Sequence, residues 1–443
     1  MRGSVEPHIT VGILSAPEIR FCLEGGYFLA NEKVATGAVE TITIENDRLL
    51  WNDSYYSGLT FIPANNDTSF FTLFNVVIGV KFHWERAEKQ SFKGELLFIP
   101  CDGHIRAINR IPVEDYLKSV IASEMNGLAP AAFLKAHAII SRSWLLAQLE
   151  RKNSSEIAAS TPERTREYLD EKVIIKWYDR EEHTLFDVCA DDHCQRYQGI
   201  SRTLSPQVLE AIEDTRGEAL LYNGKVCDTR FSKCCGGITE EFQNCWQDEL
   251  HPYMPSVFDA PGGRKVYENI EYEKFILSSP YAFCSNPSKE VLQQVLNDYD
   301  RETNDFYRWK VVYSQKEITE LLCNKTGIDF GEIENITPLK RGYSGRIIEL
   351  RVKGSLCSVV FGKELEIRRI LSPSHLYSSA FVVKTVGKNT NGIPEKFSLY
   401  GAGWGHGVGL CQIGAAVMGE KGYSCREILQ HYYPSAILEK IYE

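Results

Sequence analysis

Residues 111–125 read IPVEDYLKSVIASEM, and the hydrophobic period of the chain changes there. Upstream, between residues 8 and 100, HITVGIL, EIRFCLEGGYFLA, AVETITIEN, VVIGVKFHW and GELLFIP favour strands, punctuated by Gly, Asn and Asp. From Pro112 the pattern is helical. The proline sits near a first turn, where it is tolerated, and acids follow early. A second helix is expected after Pro130 through AAFLKAHAIISRSWLLAQLERK, ending in basic residues that suit a helix C-terminus. The class is therefore α+β: a mixed helical and antiparallel β core with an N-terminal β-rich module and a helical insertion.

Further along, residues 151–183 are highly charged and read as a solvated excursion. Strands and turns return from about 184 to 260. The stretch 275–335 is helical and polar, with Ser314 and Glu317 at capping-box spacing and Gly327 as a stop. Strands in RIIELRVKG, CSVVFG and AFVVKTVG precede a glycine-rich run. The last helix, SCREILQHYYP, carries Ser424 and Glu427 at capping-box spacing, with Pro434 beyond its end. Four segments result: residues 1–100, 101–275, 276–335 and 336–443.

Bulk properties narrow the function. With 443 residues, 43% hydrophobic and 11% aromatic, the chain has ample material for packed cores. Its net charge of −10 and the lack of a basic run argue against nucleic acid as a partner. No stretch approaches the roughly 18 apolar residues of a membrane span. The start, MRGSVEPHITVGIL, has no signal-peptide core, which by sequence alone reads as cytoplasmic. The 13 cysteines are scattered and odd in number, so most are expected to be buried thiols rather than a disulfide scaffold.

Four constellations bear on chemistry. On the first helix Tyr116, Leu117, Val120 and Ile121 form an apolar stripe that Glu124 continues. A carboxylate there either faces a cleft, where burial favours the protonated form of a general acid, or snorkels out to pair with an Arg. HTLFDVCADDHC holds His183, Cys189, His193 and Cys194. These fit a tetrahedral zinc site, a Cys189–Cys194 disulfide, free thiols or unrelated loop residues. In FSKCCGGITEEFQNCW, Gly236 and Gly237 mark a tight turn, and Cys234, Cys235 and Cys245 read as ordinary thiols. Finally, GAGWGHGVG over 401–409 places glycine at every second position. Two is the strand period, so a strand is expected with one bare face and with Trp404 and His406 on the other, lining a groove. His406 is either a packing residue or a groove contact, and Gln412 is a further polar candidate.

These regions, in this order, resemble the stage II sporulation protein D or amidase-enhancer family. The resemblance rests on PVEDYLKSVIASEM (112–125), LKAHAIISRSW (134–144), DDHCQRYQG (191–199), CCGGITE (234–240), RGYSGRIIELRVKG (341–354), IRRILSPSHLYSSAFVV (367–383), GWGHGVGLCQIGA (403–415) and EILQHYYP (427–434). It covers most of 110–260 and 335–443. The chain differs from the usual pattern in having Asn126 after S-E-M in place of proline. It also has Cys234 and Cys235 where Ser and Thr are commoner.

The resemblance implies a peptidoglycan lytic transglycosylase acting on glycan strands stripped of stem peptides, with Glu124 as the catalytic acid. Such an enzyme works with one carboxylate, because the sugar's own C6 hydroxyl replaces the water that glycosidases activate with a second one. Glycan contacts are expected from Tyr116, Arg142, Gly236, Gly237, Trp404, His406 and Gln412. His183, Cys189, His193 and Cys194 are implied as ligands of a structural zinc. The alternative is a non-catalytic glycan-binding activator of a cell-wall amidase. Either role implies the cell envelope or periplasm.

Overall fold

The computed structural model describes residues 5–78, 86–125, 128–153, 163–168, 171–177, 183–191, 194–200, 205–266, 270–285, 287–295 and 306–443. The class is mixed α+β. His193, Asn126 and part of VVIGVKFHW lie outside the described residues. The chain divides into two compact units. The first holds residues 1–153, 180–219 and 438–443; the second holds 154–179 and 220–437. No helix among the described residues is long and apolar enough to cross a membrane.

In the first unit, the strand-forming stretches before residue 100 build two antiparallel-rich sheets. One orders Val188–Cys189, His8–Ala16, His104–Pro112, Glu95–Cys101, Leu59–Pro63, Tyr27–Leu29 and Glu32–Val34. The other orders Arg86–Phe92, Phe70–Ile78, Glu18–Glu24, Val39–Glu45, Arg48–Trp51 and Ser54–Tyr56. Phe21 of the second sheet meets Phe61 and Phe98 of the first at 5.7 and 5.1 Å between ring centres. All three rings are fully buried, so aromatic burial, worth a few kcal/mol per ring, joins the sheets.

Helices α1 (Val113–Glu124) and α2 (Ala131–Asn153) follow the strand His104–Pro112 directly, and α3 (Pro206–Asp214) packs on both. Pro112 precedes α1 without a capping side chain. Glu6 supplies the missing acceptor instead, taking the Glu114 N–H at 2.7 Å. Tyr116, Leu117, Val120 and Ile121 are wholly buried, as the stripe requires.

The second unit carries helices α4 (Tyr272–Leu277), α5 (Lys289–Val295), α6 (Gln315–Thr326), α7 (Glu364–Ile370), α8 (Gln412–Glu420) and α9 (Cys425–Tyr432). Its largest sheet orders Glu163–Tyr168, Glu171–Lys176, Ser358–Gly362, Ile347–Gly354 and Ile333–Arg341. Both capping boxes form, Ser314 with Glu317 on α6 and Ser424 with Glu427 on α9, and Gly327 ends α6 at φ 71°.

Two expectations change. The charged stretch 151–183 contributes the hairpin Glu163–Tyr168 and Glu171–Lys176 to the sheet, where Glu171 pairs with Arg351. The stretch 275–335 is not helical throughout. Arg308–Ser314 is a strand against Pro394–Ala402, and its Trp309 joins the apolar core with Ile318, Leu322, Phe361, Phe381 and Phe397.

Candidate functional site

Glu124 is the last residue of α1, and the backbone turns extended at Met125. Its side chain is half-buried, and its Oε1 accepts the Arg196 N–H at 3.2 Å. The segment 194–198 is fastened along the same helix. Gln198 N–H donates to Ser119 Oγ at 3.1 Å, and the Tyr116 hydroxyl donates to Gln195 Oε1 at 3.3 Å. The carboxylate therefore stands at the carbonyl end of a helix, where negative charge is disfavoured, and is steadied by a loop amide.

That loop begins in the His/Cys constellation. The ligand atoms of His183, Cys189 and Cys194 lie within 4.8 Å of one another. Cys194 Sγ is 3.6 Å from His183 Nε2, and the Cys189 N–H donates to Cys194 Sγ at 3.4 Å. No disulfide joins Cys189 to Cys194. The sheet edge positions the group: Val11 and Gly12 pair in parallel with Val188 and Cys189, and Thr10 gives N–H and hydroxyl hydrogen bonds to Asp187 Oδ2 at 2.9 and 2.8 Å. Lys152 at the end of α2 binds Asp187 and the Phe186 carbonyl. Two sulfurs and an imidazole suit a zinc-class ion.

Tyr116 and Arg142 are structural rather than glycan-facing. Tyr116 is fully buried and stacks on Tyr197 at 5.0 Å, so its ring has no face to offer a sugar. Arg142 is also fully buried. Its Nε and Nη2 donate to both oxygens of Glu114 at 2.9 and 2.7 Å, and Nη1 donates to the Glu218 carbonyl. Burial pushes the Glu114 carboxyl up. Arg142, with hydrogen bonds from Tyr442 and Gly217, outweighs this and holds it below the usual range.

In the second unit the glycine run departs most from its expected form. The strand ends at Ala402, and Gly403, Gly405, Gly407 and Gly409 take φ of 78°, 87°, 76° and 72°. The two-residue period thus records alternate left-handed residues, which glycine alone adopts cheaply, and not a pleated strand. The bare positions admit protein. A Cβ at Gly407 would lie 2.3 Å from Arg346 Cζ, and one at Gly401 2.0 Å from the Trp309 ring. Buried Arg346 donates to the carbonyls of Gly405 and Cys235.

Gly236 and Gly237 form the expected turn at φ 81° and 109°. A Cβ at Gly236 would strike the backbone of residues 402–403, so this glycine serves packing and not a ligand. Gln412 is buried at the start of α8. The half-buried His406 ring meets Trp246 at 4.8 Å, and its Nδ1 accepts the Val408 N–H at 3.0 Å. Burial, then Arg230, Arg346 and Arg368, holds its pKa well below the usual value. It is a neutral packing residue. Trp404, half-buried, packs with Tyr377 and Phe306 at 4.6 and 4.9 Å.

Two buried groups escaped the sequence reading. Glu240 is fully buried and accepts from Ser344, the Glu241 N–H and Asn244; burial raises its pKa despite those bonds. Cys235 gathers with Asp259, Cys284 and Cys411. Neither set shows a motif spacing, because Ser344 lies 104 residues from Glu240, and Cys284 and Cys411 lie 49 and 176 residues from Cys235.

The family described as Stage II sporulation protein matches residues 101–222. Stage II sporulation protein D of Bacillus amyloliquefaciens is 26% identical over 327 residues, covering 74% of each chain. Over residues 101–222 the chain is similar to the stage II sporulation protein D and amidase-enhancer family. The sporulation-protein match spans α1, α2 and the His/Cys loop, so Glu124 and its supports fall inside it. A domain of unknown function matches residues 240–409, which take in Glu240 and the whole glycine run. An uncharacterized protein of Brachyspira hyodysenteriae is 26% identical over 342 residues, 77% of this chain and 70% of that protein. The amidase enhancer of Bacillus subtilis is 26% identical over 236 residues, 52% of this chain but 32% of its own length.

Proposed function

We propose that the protein acts on the bacterial cell wall as a peptidoglycan lytic transglycosylase, with Glu124 as its acid and base. One observation carries the reading: a half-buried carboxylate at the end of α1, held by the Arg196 N–H on the loop that His183, Cys189 and Cys194 begin. In this reading Glu124 protonates the leaving glycosidic oxygen. It then takes the proton of the muramic C6 hydroxyl as that oxygen closes onto C1, leaving a 1,6-anhydro end and a carboxyl restored to its starting state. Substrate of this kind puts the site of action in the envelope.

A zinc-class ion on His183, Cys189 and Cys194 would contribute structurally, by fixing the loop geometry. The residues themselves do the rest. The 194–198 backbone orients Glu124, while Tyr116 and Tyr197 brace α1 from the core. Trp404 is kept as a proposed glycan contact on the strength of its partial exposure.

The name of the amidase enhancer relative favours a second reading, a glycan-binding activator of a cell-wall amidase without catalysis of its own. Incubation with purified, peptide-stripped glycan strands separates the two. Mass spectrometry is expected to show anhydro ends with the wild type and a loss of at least about a hundredfold in rate with Glu124→Gln. Intact strands with both proteins, together with faster release of stem peptides from unstripped peptidoglycan by an added amidase, would reverse the preference.

A further inference from the structure

The second unit contains a thiolate-rich centre that the proposed chemistry does not use. Cys235, Cys284 and Cys411 bring their sulfurs, and Asp259 a carboxylate oxygen, together, with the four ligand atoms within 4.8 Å of one another. These four residues are at most 2% exposed. Cys235 Sγ lies 3.6 Å from Cys284 Sγ and 3.4 Å from Asp259 Oδ2. A tetrahedral ion with metal–sulfur bonds of about 2.3 Å separates its ligands by about 3.8 Å. The cage therefore already has nearly the span that such an ion needs.

Backbone donors reach two of the sulfurs. Cys411 Sγ accepts the Cys235 N–H at 3.2 Å and the Gly414 N–H at 3.4 Å, the latter in the first turn of α8. Cys235 Sγ accepts the Gly237 N–H at 3.4 Å. Backbone donors of this kind stabilise metal-bound thiolates and set their direction. Asp259 is built in as firmly. Its Oδ1 takes the Tyr432 hydroxyl at 2.7 Å and its Oδ2 the Cys284 N–H at 3.2 Å. Gly414 leaves the space, since a Cβ there would lie 2.6 Å from Asp259 Oδ2. A carboxylate at 0% exposure is costly without a cation, and its Oδ2 points at sulfur. His431 approaches the other oxygen, at 3.6 Å.

We propose that Cys235, Cys284, Cys411 and Asp259 form a structural site for one soft divalent cation of the zinc class, separate from His183, Cys189 and Cys194. Four protein ligands leave no open position, so the site is a staple and not a hydrolytic centre. Binding displaces the three thiol protons to solvent. It ties the Cys-Gly-Gly turn to the start of α8 and to the 282–285 turn, segments brought together from far apart in the chain.

The test uses the whole chain carrying Cys189→Ser and Cys194→Ser, which silences the other cluster. It is purified under reducing conditions, loaded with Zn²⁺ or Co²⁺ and desalted. One metal ion per chain is expected, with an intense thiolate-to-cobalt charge-transfer band. X-ray absorption on the zinc form should give three sulfurs at about 2.3 Å and one lighter ligand. Asp259→Asn should weaken the affinity at least about tenfold while the circular dichroism stays that of the parent. Adding Cys235→Ser and Cys284→Ser should abolish retention; should that chain not fold, the absorption result on the parent decides alone. A folded parent that retains no metal, or a Cys235–Cys284 disulfide trapped by alkylation before lysis, overturns the proposal.

Discussion

Arg142 shows how a residue in a family motif earns its place through stability. Its guanidinium and the Glu114 carboxylate satisfy each other wholly out of water, with Tyr442, Gly217 and Glu218 taking up the remaining valences. Removing one member of a buried pair strands the other charge, at a cost of about 3–5 kcal/mol. Arg142→Ala should therefore lower the unfolding free energy by that amount in denaturant titration. Arg142→Lys should recover little, since an ammonium cannot make the two-pronged contact. If Arg142 bound glycan instead, the variant would keep its stability and lose affinity. The stripe on α1 was legible because its four apolar residues and Glu124 are neighbours on one helix. The burial of Tyr116 was legible too, but not that Tyr197 and Gln195 would use up its ring and hydroxyl.

At the scale of elements, the glycine run shows where periodicity misleads. Alternation of bare and large residues is common to a strand and to a loop of alternating left-handed glycines. Backbone angles distinguish them, and side-chain pattern does not. Gly407 and Gly422 provide a matched test. Both have positive φ, but a Cβ at Gly407 would meet Arg346 at 2.3 Å, while one at Gly422 meets nothing within 4 Å. Gly422→Ala should cost only the conformational penalty, about 1–2 kcal/mol. Gly407→Ala must also displace a buried guanidinium and should cost on the order of 3 kcal/mol or more in the same thermal melts. Equal costs would mean that the loop relaxes and that the fit to Arg346 is unimportant. Capping boxes were read correctly for the opposite reason. Ser314 with Glu317, and Ser424 with Glu427, are local contacts three residues apart.

For the molecule as a whole, stability depends on groups that burial holds uncharged. His375 is pushed down from 6.5 to about 4 by burial and then by Arg368, Lys325 and Arg369. Its neutral form belongs to the fold, so its contribution is present above pH 6.5. It is lost as pH falls toward 4, because the unfolded chain takes up the proton first. Because the ring is only partly buried and solvent screens it, the loss is on the order of 1–2 kcal/mol. Buried Glu240 works in the opposite sense, so the clean measurement is the stability difference between wild type and His375→Gln. That difference should shift against the wild type between pH 6.5 and 4, and a constant difference would refute the assignment. The sequence by itself determined the α+β class, the two helices that follow Pro112, the capping boxes of α6 and α9 and the place of Glu124 in line with the apolar stripe of α1. Each depends on residues within a few positions of one another. Tertiary structure alone decided that the glycine run would close on Arg346 and that Arg142 would vanish into an ion pair. It also decided that Cys235 would meet Cys284 and Cys411 across 49 and 176 residues. Those contacts are set by which surfaces pack together, and no local period carries that information.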